Sequence, residues 1–124
     1  EGGAVMTRPS IGAAQRRLGI AAGPDMLERM ESMTGASDRL YSLCEEHPTP
    51  AVMNQLMRNA RTQSDPTMRY SAGAFLLYLA GHADDWYGFG EHRPRLLDLN
   101  TDDYKTHKAT VAWLEDMAAN PKKR

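Results

Sequence analysis

From Asp65 to Gly81 the chain runs from an acid and a proline, through a block of apolar residues, to a glycine, and this stretch limits the fold more than any other. Asp65 or Ser64 can accept hydrogen bonds from the free amides of a first helical turn. Pro66 stands where a missing N–H costs nothing, and Gly81 is placed to end the helix in the left-handed region. Met68, Ala72, Phe75, Leu76 and Leu79 recur at helical spacing and make one wide face. Leu77, Tyr78 and Ala80 carry apolar character past that face, which predicts a helix packed on more than one side.

The flanking segments supply helices to cover it. Thr49-Pro50 opens an amphipathic helix to about Arg61, with Val52, Met53, Leu56, Met57 and Ala60 on its apolar side. Only Thr62-Gln63-Ser64 separates it from the next helix, so the two are expected as antiparallel neighbours. Upstream, Ser37 caps a helix Asp38 to Glu46 with Leu40, Tyr41, Leu43 and Cys44 inward, ended by His47-Pro48. Before that, Gly23-Pro24-Asp25 starts a helix with Met26, Leu27, Met30 and Met33 on one face, ended or kinked at Gly35. Residues 1–24 read as a flexible arm containing a short helix from Ser10 to Leu18. Downstream, Pro94 starts a short helix through Leu96, Leu97 and Leu99. Asn100 or Thr101 caps a last helix, Asp102 to Ala119, whose stripe is Tyr104, Val111, Leu114 and Ala118. Residues 120–124 form a basic tail. No stretch alternates as a strand does, so the expected fold is all-α, with one helical domain over 25–119. It consists of antiparallel helical hairpins stacked as a short solenoid or an irregular bundle.

Sliding the chain by 37 residues pairs Asp65 with Asp102, Ala72 with Ala109 and Leu77 with Leu114, a weak internal repeat. The segment Asp65-Pro66-Thr67-Met68-Arg69-Tyr70-Ser71-Ala72-Gly73-Ala74-Phe75-Leu76 resembles the inter-helix turn and second helix of a HEAT repeat. That pattern has an acid, a proline, an apolar residue followed by arginine, then small residues and leucine. The resemblance covers Pro50 to Gly81 and weakens over Pro94 to Met117, where Lys105 stands in place of the arginine. The chain also resembles small bacterial HEAT-like proteins that act as immunity partners of toxins. The resemblance implies an α-solenoid that binds another protein, with no catalytic residues to carry over.

Charge and composition narrow the function. A formal net charge of −1 over 124 residues exerts no global attraction for nucleic acid or anionic lipid. The helix after Pro66 is too apolar to lie in a major groove, so no DNA-binding role is expected. The longest apolar run, Ala72 to Ala80, is about half of the ~20 residues that cross a bilayer, and Glu1-Gly2-Gly3 leading into Met6, with no basic region feeding an apolar stretch, is not expected to be a secretory signal. Cys44 is the only cysteine, which suits a reducing, cytoplasmic setting.

The distinctive segment is His82 to Arg93, HADDWYGFGEHR, which has no helical period. Between His82 and Tyr104 six acids (Asp84, Asp85, Glu91, Asp98, Asp102, Asp103) face two bases, Arg93 and Arg95. Trp86, Tyr87 and Phe89 are residue types enriched at binding hot spots, and nearby acids steer a basic partner. Rings in such a loop also fold back to cap the open end of a helix pair. The expected contact set is Asp84, Asp85, Trp86, Tyr87, Glu91 and Asp98, on a non-enzymatic module that occludes a basic protein surface as an immunity or inhibitor protein. No cofactor is expected. The alternative is a small metal-dependent enzyme on His82, Asp84, Asp85 and His92, whose side chains are divalent-metal ligands. An accessory domain of a larger assembly is the other. Three further features have plainer readings beside functional ones. Cys44 beside His47 is a buried thiol or a nucleophile; Met26, Met30, Met33, Met53 and Met57 are core or a groove for a helix; Arg58, Arg61 and Arg69 are structural or phosphate contacts.

Overall fold

The computed structural model describes residues 27, 29, 30 and 38–122, the side chains of 38–40 and 43 excepted. Five helices follow in this part of the chain: α1 (Asp38–Glu46), α2 (Pro50–Thr62), α3 (Pro66–Leu79), the short α4 (Arg93–Leu96), which runs into a 3₁₀ turn (Leu97–Asn100), and α5 (Tyr104–Ala119). Leu27, Arg29 and Met30 are also helical. No strand occurs among the described residues, and none of their helices is long and apolar enough to cross a membrane. The arm with its helix Ser10 to Leu18, Met26, Met33, Gly35, Ser37 and residues 123–124 lie outside the described residues, as do the Leu40 and Leu43 side chains.

The helix starts are set by side chains that satisfy free amides. Thr49 accepts from Val52 N at 3.2 Å ahead of Pro50, and Asp65 accepts from Thr67 N at 2.9 Å ahead of Pro66. The cap of α5 is Asp103, which accepts from Thr106 N at 3.1 Å, in place of the expected Asn100 or Thr101. The two Thr106 bonds hold the Asp103 carboxyl below its usual range. With Asp103 at the cap, Tyr104 becomes the first helical residue. Its side chain stands 71% exposed beside Lys108, not in the buried stripe. His107, Thr110, Val111 and Leu114 face inward instead, with His107 Nε2 3.1 Å from Ala60 O. Ala109 is exposed where Ala72 is buried. The capping acids are thus one residue further apart than the offset of 37 requires, and that offset pairs the buried Leu77 with the buried Leu114 but matches neither the caps nor Ala72 with Ala109.

α3 is the central element, in contact with α2, α4, the 3₁₀ turn and α5. Met68, Ala72, Gly73, Ala74, Phe75, Leu76 and Leu77 are all buried on it, so burial extends round the helix as its all-round apolarity requires. α1 joins through Tyr41, whose ring lies 4.3 Å from that of Phe75, and through the Tyr78 hydroxyl, which donates to the Glu45 carboxylate. Gly73 lets the 3₁₀ turn approach: a Cβ there would stand 2.3 Å from Leu99 Cδ1.

The buried polar groups are joining elements. Asn59 donates from Nδ2 to Met30 O at 2.8 Å and accepts from Gln55 Nε2 at 3.0 Å, tying α2 to the helical residues around Met30. Arg69, only 8% exposed, donates from Nε to Leu99 O at 2.8 Å. Its Nη1 donates to Gln63 O at 2.9 Å and its Nη2 to Thr101 O at 3.2 Å. The guanidinium thus holds the α2–α3 turn and the approach to α5 in one place, and it is not available to a phosphate. Arg58 and Arg61 point elsewhere, to Gln55 Oε1 and to Glu115.

Replacing Arg69 by Met leaves these carbonyls buried without donors and is expected to cost about 3 kcal/mol in urea unfolding. Asp102, 3.8 Å from Arg69 Nη2 but itself 98% exposed, is the control; D102N should change stability by less than about 0.5 kcal/mol. Gly73→Ala drives a methyl into Leu99 and should cost about 1–3 kcal/mol.

Candidate functional site

The connector between α3 and α4 is irregular but tightly held. Gly81, at φ +84°, turns the chain out of α3 with Gly81 N donating to Tyr78 O at 3.1 Å and His82 N to Leu77 O at 2.9 Å, the two bonds of a glycine-terminated helix end. The His82 ring then reaches the end of α5, with Nε2 2.9 Å from Met117 O and 2.8 Å from Asn120 O. Carbonyls only accept, so Nε2 carries the proton. Its Nδ1 is buried with no hydrogen-bond partner among the described residues. Lys122 N donates to Ala80 O at 2.8 Å and fastens the same two helix ends together.

Trp86 turns inward. Its ring meets Phe75 edge-on at 5.8 Å and Tyr78 at 5.6 Å, completing an aromatic cluster with Tyr41. Asp85 Oδ1 accepts from Tyr87 N at 2.7 Å and shapes the bend that follows. Gly88 is buried at φ +75° against α3, where a Cβ would lie 2.7 Å from the Tyr70 hydroxyl oxygen and 3.1 Å from Ala74 Cβ. Only glycine meets both the backbone and the space requirement. The Tyr70 hydroxyl lies 2.7 Å from Tyr87 O and 3.2 Å from Gly88 O, and accepts from Arg93 Nη1 at 3.0 Å. Burial raises the Tyr70 pKa, and the Asp85 charge adds to this against the opposing pull of Arg93.

With Trp86 and Gly88 anchored, Tyr87 and Phe89 are left outside, 45% and 66% exposed, with rings stacked at 5.8 Å and 21°. The Arg93 guanidinium lies 4.9 Å from the Phe89 ring centre, and Arg95 lies 5.1 Å from that of Trp113. Beside this ridge a cavity of about 270 Å³ is lined by His82, Asp84, Asp85, Phe89, Glu91, His92, Arg93, Leu96 and Lys122, among others.

The expected contact residues therefore divide. Asp84 and Glu91 are exposed at the cavity rim, Tyr87 is exposed on the ridge beside it, Asp85 spends one oxygen on the backbone, and Trp86 is half-buried in the aromatic cluster. Asp98 is exposed on the 3₁₀ turn and does not line the cavity. Phe89, left out of the expected set, is the more exposed partner of Tyr87. Arg93 and Lys122 add positive charge to a rim expected to be acidic. The signal for Phe89 was the pairing of two glycines with three rings, which leaves one ring too many for the core to absorb. No sequence signal brings in Lys122, which arrives from the far end of the chain.

His82, Asp84, Asp85 and His92 all line the cavity, yet no group of three or more His, Cys, Asp or Glu positioned to hold a metal ion exists among the described residues. His82 Nε2 is committed to carbonyls, Asp85 to Tyr87 N, and the His92 ring lies 5.7 Å from that of Trp113. Cys44 is the buried thiol of the plainer reading. Cys44 is fully buried with Sγ 3.7 Å from Met30 Sδ, and burial pushes its thiol up to about 12. Met30 is core, whereas Met53 and Met57 line a shallow recess of about 350 Å³ between α2 and α5.

Comparison of the chain with protein-family models, with curated proteins and with solved structures finds no match.

Tyr70→Phe removes the hydroxyl that holds Tyr87, Gly88 and Arg93. Amide hydrogen exchange should rise over residues 85–90 while α2 and α3 keep their protection, with a global cost of about 1–2 kcal/mol. A tyrosine pKa raised above its unfolded value of 10.0 stabilises the fold below that pH, and the contribution disappears as pH climbs through the folded value. Stability above about pH 10 should accordingly fall more steeply in the wild type than in Y70F. The Cys44 thiol should resist a thiol reagent in native buffer and react fully in urea.

Proposed function

We propose that the chain is a non-enzymatic protein-binding module whose contact surface is the ridge and cavity rim formed by the α3–α4 connector. In this reading the partner presents a basic surface, and occlusion of that surface makes the chain an inhibitor or immunity protein of a bacterial cytoplasm. The paired helices α2 and α3 serve as a HEAT-like antiparallel hairpin with the buried Arg69 at its turn. The hairpins stack to present the connector at one edge.

One observation carries the reading. Two large rings, Tyr87 and Phe89, are held outside the core and stacked on each other by a backbone clamped at Trp86, Gly88 and Tyr70. Exposed apolar area normally loses side-chain and loop entropy when it is ordered on binding, and here the loop is ordered beforehand. Aromatic anchors of this kind supply most of the affinity at an interface, while Asp84 and Glu91 at the rim act on encounter rate and orientation.

The test uses the immobilised chain as bait, with the double variant Tyr87→Ala/Phe89→Ala and the charge-reversed Asp84→Lys/Glu91→Lys as controls. A protein held by the wild type should be lost from the aromatic double variant, with affinity reduced by about 2 kcal/mol or more. Charge reversal should slow its association about ten-fold and flatten the dependence of the rate on salt. An association rate indifferent to salt removes the basic partner, and full retention by the aromatic variant removes the surface itself.

A further inference from the structure

Opposite charges line the connector cavity without meeting. Asp84, Asp85 and Glu91 bound it as anions, Asp85 with one oxygen already bonded to Tyr87 N, and Arg93 and Lys122 as cations. Among the described residues the side-chain ion pairs are Arg61–Glu115 and Arg69–Asp102, and neither involves any of these five. Arg93 is not at liberty to swing across. Its Nη1 is bonded to the Tyr70 hydroxyl at 3.0 Å and its plane lies over Phe89, which leaves the other guanidinium donors for a further acceptor. The His82 staple and the Lys122 backbone bond fix the opposite wall.

The volume, about 270 Å³, lies just under the range of pockets that take drug-sized ligands, so a nucleotide or a sugar chain is too large. A small ligand that satisfies both kinds of wall must itself carry both charges. We infer that the cavity binds a free α-amino acid, its ammonium group on the Asp84 and Glu91 carboxylates and its carboxylate on Arg93 and Lys122. Each contact is a charge-assisted hydrogen bond, and the guanidinium suits a carboxylate geometrically. A neutral amide or a singly charged ion fills only one side and leaves the other pair facing empty space.

The experiment is a calorimetric titration of the whole chain with each common α-amino acid, followed by the N-acetyl and the carboxamide form of any that binds. At least one amino acid should bind with Kd of about a millimolar or tighter, and blocking either end should weaken it at least about ten-fold. Glu91→Gln and Lys122→Gln, both at exposed positions, should each weaken binding about ten-fold with the urea midpoint unchanged. No heat from any amino acid up to about 10 mM overturns the assignment. So does a blocked form that binds as tightly as its parent, or wild-type affinity in both variants. No partner protein is present in this titration, so its failure leaves the protein-binding reading intact, and loss of the Tyr87–Phe89 interface leaves this one intact.

Discussion

The fold depends on the guanidinium of Arg69. A permanently charged group that is 8% exposed must be hydrogen-bonded or it expels its own helix from the core. Carbonyls of Gln63, Leu99 and Thr101 meet that need, and none of them belongs to a helical ladder that already uses it. The charge thereby selects one arrangement of two chain reversals distant in sequence, the α2–α3 turn and the 3₁₀ turn before α5. Backbone carbonyls rather than a carboxylate do the neutralising, since Asp102 is almost wholly in water at 3.8 Å. The stabilisation is therefore one of geometry and satisfied lone pairs, with little contribution from an ion pair.

Placing the 3₁₀ turn also places the connector. Leu99 fits over Gly73 only because no Cβ is there, and the short helix Arg93–Leu96 is then held against the same stretch of α3. Arg93 is in consequence close enough to donate to Tyr70, and Tyr70 close enough to hold the backbone at Tyr87 and Gly88. Core packing and surface presentation are one chain of contacts: Arg69 to Leu99, Leu99 to Gly73, α4 to Tyr70, and Tyr70 to the ridge. A substitution anywhere along it reaches the exposed rings without touching them.

The sequence was most legible where local chemistry decides. Asp65-Pro66, Thr49-Pro50, His47-Pro48 and Gly81 fall at helix ends because caps, missing N–H groups and left-handed φ values are properties of single residues. It misled at the start of α5, where Asn100, Thr101, Asp102 and Asp103 are all capping residue types and Asp103, two residues beyond Thr101, is the one that caps. Tyr104 then stands in the first turn and in solvent, outside the buried stripe. In the connector, composition showed that rings and acids were present but not which faced out. Trp86 is inside because the Tyr41–Phe75–Tyr78 cluster has room on its open side, and that space is made by two helices, α1 and α3, whose relative placement no local pattern encodes. The side chains of the metal-ligand set also have partners that spacing does not show: Asp85 accepts from the nearby Tyr87 N, and His82 reaches the distant carbonyls of Met117 and Asn120.

The mixed charge of the rim changes how its acids act. Asp84 and Glu91 are exposed, so their attraction for a distant cation is screened over about 8 Å at physiological salt. Arg93 and Lys122 beside them cancel part of what remains. Long-range attraction is therefore shared with Asp98, Asp102 and Asp103, which are exposed too and lie outside the cavity. At contact distance the balance reverses, because a group that enters the cavity displaces water and meets the charges singly, each at a fixed position. The same four side chains are thus weak as a field and selective as a lining, and selectivity here means demanding both signs of charge in one small ligand or one short patch of a partner's surface. The rings of Tyr87 and Phe89, indifferent to salt, supply the apolar area that such a charge-balanced surface lacks.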